Sequence, residues 1–93
     1  MGAERAAAMG VFDKVLAPDD FEAGWRSFAA KLAAGPTRAY ALTKAIVQSV
    51  PDRTLEEQLE FEIEAQTAAG KTKDHLEGVQ AFFEKRPPNF EGR

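Results

Sequence analysis

Cysteine is missing from all 93 residues. Disulfides, thiolate zinc sites and a cysteine nucleophile are thereby excluded, and a reducing cytosol is compatible. Histidine occurs once, at His75. No run approaches the roughly 18 apolar residues that span a bilayer. No long apolar stretch follows Met1-Gly2-Ala3-Glu4-Arg5, so a signal peptide is not expected. Ala6 stands where N-myristoylation requires Ser or Thr. A basic excess is lacking as well. Twelve Lys and Arg face fifteen Asp and Glu, a formal charge of -3, which argues against general nucleic-acid binding. Neither a phosphate-cradling glycine loop nor a serine nucleophile elbow is present. These absences lead us to expect a soluble, cytoplasmic protein. A chain this short buries only about 60–65% of its unfolded surface, so a deep, closed active site is hard to build.

What is present is mostly helical. Gly2 to Met9 is alanine-rich and helix-prone, with Gly10 as its stop. Val11 to Leu16 is rich in β-formers and predicts one strand at most; it would need a partner strand, and no second one is evident. After Pro18, Asp19 or Asp20 is placed to cap a helix carrying Phe21, Trp25, Phe28, Ala29 and Leu32 on one face. Gly35 is read as its left-handed stop. Pro36 opens the next helix, with Ala39, Leu42, Ala45, Ile46 and Val50 as its apolar face, and Pro51 ends it. Thr54 and Glu57 form a capping box. The helix they start carries Leu55, Leu59, Ile63 and Gln66 on one side, Phe61 opposite Leu59, and Gly70 at its end. A last helix begins between Thr72 and Asp74, carries Leu76, Val79, Phe82 and Phe83, and is stopped by Pro87-Pro88. The fold class is mainly α: a small array of four to five helices with at most one short strand. Phe61, Phe90 and Trp25 look like surplus apolar surface; an interface and a loosely filled core both account for them.

Candidate chemistry is sparse. His75 has no converging nucleophile or second acid–base group in sequence, and it reads as a surface or cap residue. A lone histidine among scattered carboxylates makes a poor metal site, and none is expected. Glu56, Glu57, Glu60, Glu62 and Glu64 read as a solvated acidic face. Lys85 and Arg86 close the last helix, where cations complement the dipole. Holding a phosphate is the second, weaker reading of the pair on spacing alone. Phe82 lies three residues before Lys85, and an aromatic ring beside an ammonium suits a nucleotide. No catalytic residue is assigned.

Read in order, these segments resemble one family. They are Ala6-Ala7-Ala8-Met9-Gly10-Val11-Phe12-Asp13-Lys14-Val15, then Leu32-Ala33-Ala34-Gly35-Pro36-Thr37-Arg38-Ala39 with Lys44, then Glu64-Ala65-Gln66. The run from Thr72 to Phe90, with Glu77-Gly78-Val79-Gln80-Ala81-Phe82-Phe83-Glu84-Lys85-Arg86 at its centre, completes the series. Together they are similar to the C-terminal part of the crotonase family of enoyl-CoA hydratases and isomerases. The resemblance implies that residues 1–17 end a crotonase-like core, as a helix and short strand, and that 18–93 form the C-terminal helical oligomerisation region. In that family a ββα spiral core precedes helices that assemble trimers, often paired as hexamers. Its oxyanion-hole N–H groups and catalytic acids lie in the core, upstream of the matched segment. A chain of this extent is therefore expected to be inactive alone, as a fragment or half of a split protein. The resemblance also implies that Phe82 and Lys85 reach the nucleotide part of CoA held mainly by an adjacent subunit, with CoA as part of the substrate and no separate cofactor. Expected partners are acyl-CoA in the full-length context and further copies of the chain or the missing core; neither nucleic acid nor membrane is expected. Two other readings of the residues stay open: a stand-alone helical oligomerisation module, and a stand-alone CoA or nucleotide binder using Phe82 and Lys85.

Overall fold

A computed structural model describes residues 1–93. It contains five α-helices and no strand: α1 (Ala3–Ala8), α2 (Phe21–Ala33), α3 (Thr37–Ser49), α4 (Leu55–Gly70) and α5 (Lys73–Glu84). Short 3-10 turns, Pro18–Asp20 and Val50–Asp52, precede α2 and follow α3. No helix is long and apolar enough to cross a membrane. The chain divides into two compact units, Met1–Ala30 and Lys31–Arg93.

In the first unit, α1 ends on Gly10 at φ +78°. Gly10 N–H donates to Ala7 O and Val11 N–H to Ala6 O, both at 2.9 Å, the paired bonds of a Schellman stop. Val11 to Leu16 departs from the strand expected there. It is irregular because a ladder needs a second strand and this chain supplies none. Leu16 instead lies over Gly24, where a Cβ would stand 2.6 Å from its Cδ1.

The second unit is built around the packing of α3 against α4. Gln58, nearly buried, joins them: its Nε2 donates to Ile46 O at 3.2 Å, and Ser49 Oγ donates to its Oε1 at 3.1 Å. Nothing in the residue pattern singles out Gln58, which sits outside the apolar stripe of α4. Thr54 and Glu57 make the expected reciprocal capping box. Thr54→Ala removes one half of that box and costs about 1 kcal/mol of helix stability; a lower thermal midpoint by circular dichroism checks it.

Three sequence expectations are corrected here. Gly35 is not left-handed; the positive-φ glycines are Gly10 and Gly92. The Tyr40 ring lies against Gly35 instead: a Cβ there would stand 2.1 Å from the Tyr40 hydroxyl, so a side chain would push that exposed ring aside. Phe61 is not surplus surface, because Arg53 covers its ring at 3.9 Å, and Phe90 is half-buried against Gly78. The third correction concerns the faces. The apolar stripes of α4 and α5 point outward, with Leu59 at 52%, Ile63 at 67% and Phe82 at 79% exposure. The buried apolar positions are alanines: Ala6, Ala65 and Ala81. Small side chains let backbones approach, while the large ones are left without a partner surface within the chain.

Candidate functional site

The last helix and the segment after it carry the densest polar geometry. Thr72 caps α5, accepting the His75 N–H at 3.1 Å, so His75 contributes its backbone to the cap while its side chain is exposed. Asp74, in the first turn, is only 3% exposed. Its Oδ1 accepts the Glu91 N–H at 2.7 Å and its Oδ2 the Gly92 N–H at 2.9 Å. The Asp74 N–H in turn donates to Arg93 O at 3.0 Å. Gly92 meets the tight space beside Thr37, at φ +77° with 2.7 Å between a built Cβ and Thr37 Oγ1.

One turn further along α5, Glu77 repeats the device. Arg86 donates through both terminal nitrogens to its two oxygens, at 2.6 and 3.0 Å, and Asn89 N–H donates to Oε1 at 2.7 Å. Arg86 Nε also reaches Glu84 at 2.6 Å. Phe90 then lies over Gly78, 3.6 Å from a built Cβ. Asp74 and Glu77, three residues apart, share one helix face and fasten the C-terminal segment back along α5.

These bonds act on protonation. The Arg86 guanidinium, followed by the Asn89 N–H, draws the Glu77 carboxyl from its ordinary 4.5 down to about 2. Arg86 is raised by the same partner. A lowered carboxylate stabilises the folded form in full above its unfolded value, and that contribution fades as pH falls through the folded value. Attachment of the tail at Glu77 is therefore complete above pH 4.5 and weakens as pH falls toward about 2. A Glu77 carboxyl-carbon titration by NMR should show a midpoint near 2 and a parallel loss of Asn89 amide protection; a midpoint near 4.5 would contradict the clamp.

The structure places Phe82 and Lys85 at the end of this helix. Both are exposed, and Phe83 meets Phe82 edge-to-face with centroids 5.8 Å apart. Lys85 is not on the helix face: α5 ends at Glu84, and Lys85 is left-handed at φ 54°, ψ 39°. The i,i+3 spacing thus joins the two residues through a turn, with Lys85 N–H donating to Phe82 O at 3.3 Å. Arg86, the other cation considered for phosphate, is committed to Glu77 and Glu84. Glu60 and Glu64, both exposed, line an open surface with Phe61. No group of three or more His, Cys, Asp or Glu side chains comes together as a metal site. The sequence missed Asp74 and Glu77 as anchors, although both stand inside the motif; their spacing of three was the available signal.

A family profile described as enoyl-CoA hydratase/isomerase matches residues 1–93. The chain is 45% identical over 93 residues to a probable enoyl-CoA hydratase of Rhodobacter capsulatus, covering 100% of this chain and 36% of that protein. It is 34% identical over 93 residues to the 1,2-epoxyphenylacetyl-CoA isomerase of Escherichia coli, again covering 100% of this chain and 36% of the relative. A crystal structure of an enoyl-CoA hydratase subunit I from Geobacillus kaustophilus superposes with a TM-score of 0.91 at 33% identity, over 100% of this chain and 36% of that one. The chain thus spans about a third of the length of these relatives.

Proposed function

The chain belongs to the enoyl-CoA hydratase/isomerase family, and on that premise we propose that it supplies the C-terminal helical region of an acyl-CoA enzyme. It contributes packing surface and part of the CoA site, and the catalytic groups lie outside these 93 residues. One observation carries this reading: the large apolar side chains of α4 and α5 face outward while alanines fill the interior. Leu55, Leu59 and Ile63 on α4, with Leu76, Val79, Phe82 and Phe83 on α5, offer a surface of the kind that a second protein surface covers. The occupant in this reading is the family core or further copies of the chain.

Phe82 and Lys85 are assigned to the nucleotide end of CoA. The ring gives a stacking face for the base and the ammonium pairs with a phosphate. Support comes from their exposure on one turn and from the absence of any ion pair at Lys85: all four ion pairs of the chain are made by arginines.

Two measurements test the reading. Crotonyl-CoA mixed with the purified chain should show no hydration above the uncatalysed rate; turnover by the pure chain would place the chemistry inside it. Titration with CoA, followed by NMR, should move the Phe82 ring and Lys85 signals, and Lys85→Ala should remove the response. Unchanged signals at millimolar CoA would refute the assigned contact.

A further inference from the structure

We propose that Glu77 and Arg86 are positioning residues for Lys85: their paired hydrogen bonds hold the chain reversal that carries Lys85 off the helix, one turn after Phe82. The inference deepens the CoA reading above and rests on it for the use of that ammonium.

Two helices of this chain end in the same way. At α1, the left-handed residue is Gly10, with N–H bonds from residues 10 and 11 to the carbonyls of residues 7 and 6. At α5, Lys85 N–H donates to Phe82 O and Arg86 N–H to Ala81 O, the same pair of bonds. Glycine takes the left-handed region freely; an L side chain is disfavoured there. Lys85 is the one non-glycine residue of the chain with positive φ. A side chain is thus kept at a position where glycine fits better, and something must hold the backbone there.

The hold comes from the next residue. Arg86 is anchored to Glu77, nine positions back, by two N–H bonds, and to Glu84 by a third. Glu77 also receives the Asn89 N–H, so the chain on the far side of Lys85 is fixed to the same carboxylate. With residues 86 and 89 tied to residue 77, the chain must reverse at 85. The planar guanidinium fork matches the carboxylate, a geometry that lysine cannot reproduce. Glu77, its pKa drawn below the ordinary carboxylate range by Arg86, is ionised at neutral pH, so the clamp is a charged pair there.

NMR on the 93-residue chain separates positioning from general stability. In the unmodified chain Lys85 should show the strong intraresidue HN–Hα NOE that marks positive φ. Glu77→Gln and Arg86→Lys, made separately, should keep the helical circular dichroism, abolish that NOE and weaken CoA binding about tenfold. Lys85→Gly should keep the reversal and lose the CoA response at that site. If one clamp variant unfolds, the other decides. Persistence of the positive-φ NOE in the folded variants overturns the proposal, as does its loss with CoA affinity unchanged. If the unmodified chain shows no CoA response, the CoA reading fails, and the NOE in the clamp variants alone judges whether Glu77 and Arg86 set the turn.

Discussion

Asp74→Ala should release the C-terminal segment from α5 at a cost of about 3 kcal/mol. Each carboxylate oxygen accepts one backbone N–H, from Glu91 and from Gly92, and the side chain is almost fully buried. Alanine leaves both donors without their charged acceptor and opens a polar cavity. The first consequence is local, because the bonds hold a terminal segment rather than the helix itself. Hydrogen exchange at the Glu91 and Gly92 amides should accelerate about a hundredfold. Asp74→Asn is the sharper comparison. It preserves shape and one acceptor but turns an N–H donor toward the other amide, so roughly half of the effect is expected. Unchanged protection of Glu91 and Gly92 in Asp74→Ala would show that Phe90 and the Glu77 clamp hold the tail without it.

The double substitution Leu59→Lys with Ile63→Lys should abolish the self-association that the proposed assembly role requires. Both side chains stand on the outward face of α4, beside Ile46 of α3, with Glu62, Gln66 and Thr67 around them. Full burial of such a side chain is worth about 1.5–3 kcal/mol, so losing two weakens association by roughly two to four orders of magnitude. Lysine adds like-charge repulsion on a surface that must meet another. The capping box and the buried alanines are untouched, so helix content should hold. Light scattering across a concentration series reads the outcome. A chain that is monomeric before substitution at high concentration would count against these faces as an assembly surface. Undiminished association after substitution would move that role to α5, where Leu76, Phe82 and Phe83 are comparably exposed.

Helix positions were largely legible in the sequence because their limits are set by short-range bonds. Thr54 and Glu57 lie three residues apart, as do Thr72 and His75, and both caps form as the residue types require. Gly10 stops α1 because its own backbone reaches the left-handed region. The reading failed wherever the answer lay farther along the chain. Val11 to Leu16 has strand-forming residues, but pairing is a property of two segments, and the second is not here. Gly35 looks like any helix-stopping glycine until Tyr40 is placed against it.

The aromatic–cation pair at the end of α5 shows the same division. Sequence supplied Phe82 and Lys85 as residue types and their spacing. It assigned them to one helix face, whereas Lys85 sits beyond the helix, on a reversed backbone. Likewise the stripes of α4 and α5 were visible from their periodicity, but periodicity fixes only that two faces differ. Which face turns inward depends on what is available to cover it, and within these 93 residues the apolar one stays uncovered.

By itself, then, the sequence determined the helices, their caps and the family pattern, because each depends on bonds or residue types within a few positions. Only the tertiary structure decided that Asp74 and Glu77 anchor the tail, that Arg86 is spent on Glu77, and that Lys85 is left free and turned aside. Those facts rest on contacts between residues nine to eighteen positions apart. The path of the folded chain, and not local preference, brings such residues together.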